Sequence, residues 1–287
     1  MSPKISIITA SYNYGNYIKE AIESVIAQTY SDWELVIVDD GSKDNSLDVI
    51  NDYVKKDGRI KVFTHPEGKN CGLVKTLQLG LQKTQGEYIV FLEADDYITA
   101  DYLEKKIEIF EKDDSIGLVY NNITFVGCEK YFCYKSLRNI NNYWKKHNYA
   151  HNLSDIFHIK QFILTFSCVM VRKNILLECN FNSPRDAHID YWLWSQISAK
   201  TNFYYLQDKL TFWRRHDMSY VHNEEVDINK MQDYYKQVYG LMLPIRSPYY
   251  KILFWYKIFK QNCKLKKNIF AQKYRRKNKC PKAAVYH

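Results

Sequence analysis

Lys4-Ile5-Ser6-Ile7-Ile8-Thr9, the polar turn Ser11-Tyr12-Asn13-Tyr14-Gly15-Asn16, and then Tyr17–Gln28 with Ile18, Ala21, Ile22, Val25 and Ile26 at helical spacing form the stretch that decides the fold. A short apolar run, a turn and a 3.6-residue periodicity read as strand, loop, helix. The alternation repeats downstream. Trp33–Val38, Ile60–Thr64, Tyr88–Leu92 and Ile116–Tyr120 read as strands, and Ser46–Lys55, Leu73–Thr84 and Ala100–Lys112 as the intervening helices. Such alternation implies right-handed crossovers. The fold class is therefore α/β, with a Rossmann-like, mainly parallel sheet and helices on both faces.

From about residue 123 the alternation gives way to an aromatic, Asn-rich stretch up to Tyr149. A helix near Leu153–Leu164, a strand near Cys168–Val171, a helix over Ile189–Ser198 and a strand near Phe203–Leu206 come next, ahead of Trp213-Arg214-Arg215-His216. No internal repeat is present. The 287 residues are 46% apolar and 25% charged, which excludes disordered, collagenous and disulfide-miniprotein classes. The net charge of +9 is uneven. From Tyr234 onward 14 Lys and Arg meet no acid, whereas residues 1–233 carry 27 bases against 32 acids. A mildly acidic body with a strongly basic tail points to an anionic partner for the tail, or to a solubilising end. Seven Cys without a C-x-x-C or a zinc-type His spacing favour a reducing compartment. Met-Ser-Pro-Lys running straight into a strand lacks signal-peptide features, and no apolar stretch reaches about 18 residues. The expectation is a cytoplasmic protein able to sit on a membrane face.

In an open α/β sheet ligands bind beyond the carboxyl ends of the strands. Polar clusters fall at three of those ends: Ser11-Tyr12-Asn13, Asp39-Asp40-Gly41-Ser42 and Glu93-Ala94-Asp95-Asp96. An acidic pair such as Asp39-Asp40 also reads as a turn leading into an N-cap. Three carboxylates within four residues at Glu93–Asp96 repel one another unless something positive joins them; Mg2+ or Mn2+ suits a nucleoside-diphosphate ligand there, a solvent-facing turn being the plainer reading. Asp190 opens an apolar helix, where an acid is equally at home as a cap. His216 follows two Arg, and a lone His is more often structural. Lys75 reads as a solvated helix residue, although Gly72 lies near a helix start that can receive anions. The sequence contains no Walker loop, no G-x-G-x-x-G, no H-E-x-x-H and no G-x-S-x-G, which removes most support from nucleotide-kinase, dinucleotide and serine-hydrolase readings.

The ordered set Ile5–Asn13, Ala21–Tyr30, Glu34–Ser42, Asn70–Gly80 and Gly86–Asp96 resembles the inverting glycosyltransferases of family 2, which have a GT-A fold. The resemblance is close over residues 4–125 and looser to about 220. It implies a nucleotide-sugar-binding half at 1–125, an acceptor-binding and catalytic-base half at 126–233, and a basic extension at 234–287. It further implies that Ala10 and Tyr12 line the pocket for the nucleotide base and that Asp40 bonds that base, commonly uracil. Asp95 would lie near the donor sugar, Asp96 and His216 would hold Mn2+ or Mg2+, and Asp190 would be the general base. Glu93 stands where Asp is usual, Ile189 replaces a Glu before the base, and Leu77-Gln78 replace an Arg-Asn pair, which makes Lys75 the candidate donor contact.

The implied reaction is inversion by a single displacement, with a saccharide or lipid-linked saccharide acceptor of a surface glycan and a uridine diphosphate sugar as the foremost donor. A nucleotidyltransferase on the same architecture would open with a Gly-rich basic loop, which Ser11–Asn16 is not. From Tyr249 the tail carries Ile252, Trp255, Tyr256, Phe259 and Cys263 on one helical stripe flanked by Lys. That pattern matches an interfacial membrane helix attracted to anionic lipid, or a helix packed on the domain. The alternative from another class is a membrane- or nucleic-acid-binding protein on a lapsed scaffold, with Tyr and Lys interleaved as a stacking surface.

Overall fold

The computed structural model describes residues 2–127, 163–216, 233–234 and 236–238. The aromatic stretch to Tyr149 and the amphipathic tail from Tyr249 lie outside them, as does the helix expected near Leu153–Leu164 apart from its last two residues, which are not helical. The chain divides into two units, Met1–Glu224 and Glu225–His287. Every element named below belongs to the first. No helix among the described residues is long and apolar enough to cross a membrane.

The first half follows the periodicity. Strands β1 (Ile5–Ser11), β2 (Trp33–Asp39), β3 (Ile60–Thr64) and β4 (Tyr88–Phe91) alternate with helices α1 (Ile18–Ile26), α2 (Ser46–Val54) and α3 (Leu73–Lys83). All four strands run parallel, in the order β3-β2-β1-β4. After the two-residue strand β5 (Tyr97–Ile98) come α4 (Tyr102–Lys112), β6 (Ile116–Gly127), β7 (Val169–Arg172), α5 (Lys173–Leu177), α6 (Ile189–Ile197) and β8 (Asn202–Arg215). The sheet continues β4-β7-β6-β8-β5, with β7 antiparallel to both neighbours and β5 antiparallel to β8. The sheet is thus mostly parallel, as expected.

Two strands are much longer than their apolar runs. β6 passes residue 123, where the pattern breaks, and reaches Gly127; β8 runs fourteen residues instead of stopping at Leu206. Their pairing jumps from Asn121↔Leu206 to Asn122↔Lys209, so the register steps over Gln207 and Asp208. A bulge of this kind bends a strand and re-aims the residues beyond it. Asn121 Nδ2 donates to Thr211 Oγ1 (3.0 Å) beside it. Past the bulge, Thr211 and Phe212 pair with Ile98 and Tyr97 of β5, which carries the end of β8 to the loop after β4.

β1, β2 and β4 are buried on both faces, as strands between two helical layers must be. Ile5, Ile7, Leu35, Ile37 and Val90 meet Ile18, Ile22 and Val25 of α1 and Tyr102, Leu103 and Ile107 of α4 on one face. The alternate residues Ile8 and Val38 meet α3 on the other. The approach there is so close that a Cβ on Gly80 would lie 2.6 Å from Ile8 Cγ2. In an open helix interior Gly→Ala stabilises by about 1 kcal/mol. Gly80→Ala should instead destabilise by about 1–3 kcal/mol through overpacking, while Gly58→Ala, with open space around it, should be near neutral. Urea denaturation of both variants checks this, and a stabilised Gly80→Ala would show that α3 can back away from the sheet.

Candidate functional site

A cavity of about 600 Å3 opens at the carboxyl ends of β1, β2 and β4 and is closed on the far side by the start of α6 and the end of β8. Its rim is built from loops tied to one another. Asn13, in the left-handed region at φ 59°, donates its amide to Ser42 Oγ (2.9 Å) and accepts from Lys43 N at its side chain (2.7 Å). Asp39 is the turn residue of the acidic pair, accepting the amides of Gly41 and Ser42. Asp44 Oδ1 accepts the Ser46 amide at the start of α2. Gly41 has φ +79°, and any Cβ would meet Gly68 O at 2.5 Å, so only Gly fits.

Asp40, unlike Asp39, is turned to the cavity. Its two oxygens accept the amides of Cys71 (2.6 Å) and Gly72 (3.0 Å), just ahead of α3. His65 Nε2 stands 3.5 Å from Asp40 Oδ1 and 3.1 Å from Thr76 Oγ1. The Thr76 hydroxyl hydrogen goes to Gly72 O (2.8 Å), so its oxygen can only accept from His65 and the imidazole carries its hydrogen on Nε2. Ala10 and Tyr12 line the same end, Tyr12 with 44% of its surface exposed. An open ring beside a fixed acceptor suits a flat base.

The acid triplet after β4 divides. Asp95 lines the cavity and Asp96 does not. Asp96 points inward, accepting from Ser167 Oγ (2.6 Å) and the Arg214 amide (2.9 Å), with Thr165 Oγ1 3.2 Å away. The Glu93 side chain accepts from Thr165 Oγ1, and the Glu93 amide donates to Ser167 Oγ (3.0 Å). Burial, with Asp95 as the next cause, pushes the Glu93 carboxyl up to about 7. Burial, then Glu93 and Asp95, holds Asp96 well above the usual carboxylate range. A metal role for Asp96 thus meets a carboxylate already engaged with protein donors, whereas Asp95 Oδ2 faces His216 Nε2 at 3.0 Å. That separation equals the edge of about 3.0 Å between adjacent ligands of an octahedral Mg2+ or Mn2+, so Asp95 and His216 fit such an ion. His216 is fixed by stacking on Tyr17, with ring centres 4.5 Å apart.

The turn Phe166–Cys168 holds these acids and is itself held from below. Lys106 of α4, fully buried, donates to Cys168 O (2.7 Å) and lies 3.9 Å over the Tyr102 ring, while Tyr102 Oη donates to Val169 O (3.1 Å). Thr211 of β8 donates to Ser167 O (3.1 Å). Nothing in the sequence around Thr165 or Lys106 marks these roles, because each exists only through partners more than 60 residues away.

Asp190, in the first turn of α6, lines the opposite wall. Burial pushes its carboxyl up to about 6, against partial opposition from backbone N–H groups at the helix start. Lys75 is exposed and does not line the cavity: Leu73, Thr76 and Leu77 are the cavity face of α3, and residue 75 falls outside that stripe. Among the described residues the basic groups at the cavity are Arg214 and Arg215. Arg214 is spoken for, ion-paired with Glu20. Arg215 Nε is buried without a hydrogen-bond partner among the described residues, and the guanidinium sits against Trp213. An orphaned guanidinium N–H at a cavity wall is suited to an anionic ligand.

The sequence profile described as Glycosyl transferase family 2 matches residues 6–179. The chain is 28% identical over 240 residues to glycosyltransferase GlyG of Streptococcus pneumoniae, covering 78% of this chain and 75% of that one. It is 39% identical over 127 residues to an uncharacterized glycosyltransferase of Haemophilus influenzae, where the match spans 44% of this chain and half of the relative. Among solved structures, S. aureus TarS 1-349 in complex with UDP superimposes with a TM-score of 0.63 at 17% identity, covering 85% of this chain and 67% of that one. At this identity the likeness establishes the GT-A fold alone.

The buried acids give a pH signature. Glu93 holds its proton to about pH 7 in the fold against an ordinary 4.5, so its contribution to stability is full below about pH 4.5 and is lost as pH rises through 7. With divalent ions chelated, Glu93→Gln should therefore stabilise more at pH 8 than at pH 5, by on the order of 1–3 kcal/mol. Urea melts at the two pH values read the difference, and equal shifts at both would mean that the folded carboxyl ionises normally.

Proposed function

Because the chain belongs to glycosyl transferase family 2, we propose that it is an inverting glycosyltransferase that moves a sugar from a nucleoside diphosphate to a hydroxyl of a saccharide or lipid-linked saccharide in bacterial surface-glycan synthesis. The observation that carries the reading is that one cavity joins Asp40, Asp95 and Asp190, three acids in three different environments. Support for the biological setting comes from a putative teichuronic acid biosynthesis glycosyltransferase of Bacillus subtilis, TuaG, 41% identical over 106 residues, which are 37% of this chain and 41% of that one. Uridine diphosphate is the foremost donor nucleotide.

In this reading Tyr12 and Ala10 receive the base, and Asp40, held in place by the amides of Cys71 and Gly72, accepts a hydrogen from it. A divalent cation held by Asp95 and His216 would supply charge neutralisation to the departing diphosphate. Arg215 offers its unpaired N–H to the same phosphates, the role first expected of Lys75. Asp96 and Glu93 keep Asp95 in position through the turn Phe166–Cys168. Asp190 takes the proton of the acceptor hydroxyl as that oxygen forms its bond to the anomeric carbon and the bond to the diphosphate breaks, its electron pair leaving with the phosphate oxygen. Attack opposite the leaving group inverts the centre.

The decisive experiment measures nucleoside-diphosphate release from uridine-, guanosine- and thymidine-linked sugars, with and without Mn2+. Release from one donor, dependent on metal and absent in Asp95→Ala, is expected; no release and no binding across the panel would remove the reading. Asp190→Asn should keep donor binding and lose at least about 100-fold in transfer, the usual scale of a general base. Since the base must be ionised, the wild-type rate should fall as pH drops through about 6; a rate flat from pH 7 to 5 would exclude Asp190 from that role. Arg215→Ala should weaken diphosphate binding by about 1.5–3 kcal/mol, while Lys75→Ala should change it little. Calorimetric titration of uridine diphosphate into each variant, in Mg2+, separates the two.

A further inference from the structure

Away from the acid triplet, a second group of metal-ligating side chains meets at the base end of the cavity. Asp40, His65 and Cys71 each offer one ligand atom, and all three atoms lie within 4.8 Å of one another. They come from three places in the chain: the end of β2, the loop after β3 and the approach to α3. The pairing of Asp40 Oδ1 with His65 Nε2 measures 3.5 Å. Adjacent ligands on a tetrahedral zinc, at the usual bond lengths, stand about 3.3–3.6 Å apart. The Asp–His edge is therefore already at ligand spacing, and the Cys71 sulfur lies within 4.8 Å of both.

The donor set selects the ion. A thiolate with an imidazole and one carboxylate favours Zn2+ over Mg2+ or Mn2+, which take oxygen ligands. The support around the ligands is also present. Asp40 is fixed by the amides of Cys71 and Gly72, and each carboxylate oxygen keeps a second lone pair. His65 needs only to move its hydrogen from Nε2 to Nδ1, since the Thr76 hydroxyl already donates to Gly72 O without it. Asp40 lines the cavity, which gives the ion an entry path and leaves a fourth position for water.

The geometry points to a site at Asp40, His65 and Cys71 for a soft divalent cation, Zn2+ above all, whose binding engages the Asp40 carboxylate and lowers affinity for the donor nucleotide. The competitive effect rests on Asp40 as the acceptor of the nucleotide base; the site itself does not. Two measurements on the full chain under reducing conditions keep these apart. In the first, Co2+ is titrated in excess Mg2+ and the thiolate-to-cobalt charge-transfer absorption is followed, then displaced with Zn2+. Wild type should bind one equivalent more than Cys71→Ala, with an absorption that this variant lacks, and His65→Gln should weaken that equivalent at least tenfold. The other six Cys are common to all variants, so the difference belongs to Cys71. Unchanged stoichiometry and absorption in both variants, each shown folded by circular dichroism, would overturn the site. In the second, uridine diphosphate is titrated in Mg2+ with and without saturating Zn2+. Zn2+ should weaken binding at least tenfold in wild type and have little effect in Cys71→Ala. Equal weakening in both, or none in wild type, overturns the competition. If the nucleotide fails to bind even without Zn2+, the donor reading is what fails, and the cobalt titration still decides the site.

Discussion

Three carboxylates placed together at the end of β4 are the constraint around which the second half of the unit is organised. Glu93, Asp95 and Asp96 raise one another's energy through burial and mutual repulsion, so the fold must bring donors to them or leave the sheet edge unstable. It does so from three distant segments. Thr165 and Ser167 come from the turn before β7, the Arg214 amide from the end of β8, and His216 from just beyond it. With Asp96 satisfied inward, Asp95 lines the cavity beside Glu93.

The bulge between β6 and β8 is the backbone device that makes this possible. Beyond the register shift β8 stays paired with β6, Thr211–Arg215 against Ile123–Gly127, while Thr211 and Phe212 take β5 on the opposite edge. Beneath the same region Lys106 spends its ammonium group on a single carbonyl in the turn Phe166–Cys168. Burial depresses its basicity strongly, and a buried Lys with one acceptor is an expensive way to hold a carbonyl. Its presence is understandable where that carbonyl belongs to the segment that orders the acids.

The cavity places electrostatically different carboxylates within one wall-to-wall space. Asp40 is surrounded by N–H donors, Asp95 is paired with an imidazole, and Asp190 is desolvated with its carboxyl pushed up to about 6. Such a division suits a reaction that needs a fixed acceptor, a cation ligand and a base at once, and it arises from position alone: one acid before a helix start, one opposite a His, one within a helix's first turn. In the two proposals a single carboxylate, Asp40, would serve two chemistries, since the amides of Cys71 and Gly72 that would hold it for a flat base would also hold it for a metal.

The sequence by itself determined the parallel half of the sheet, because Ile5–Thr9, Trp33–Val38 and Tyr88–Leu92 are apolar on both faces and alternate with amphipathic helices, a pattern that only a covered sheet satisfies. It also determined which strand ends carry polar chemistry, Asp40 and Asp95 among them. The extent of β6 and β8 was not legible, since their distal halves mix polar and aromatic residues and pair by register around a bulge rather than by periodicity. The tertiary structure alone decided that Asp95 and not Asp96 faces the cavity, that Lys75 turns away while Arg215 takes the wall, and that His65 and Cys71 stand beside Asp40. Those outcomes depend on side-chain direction and on contacts between residues far apart in the chain, and local composition carries information about neither.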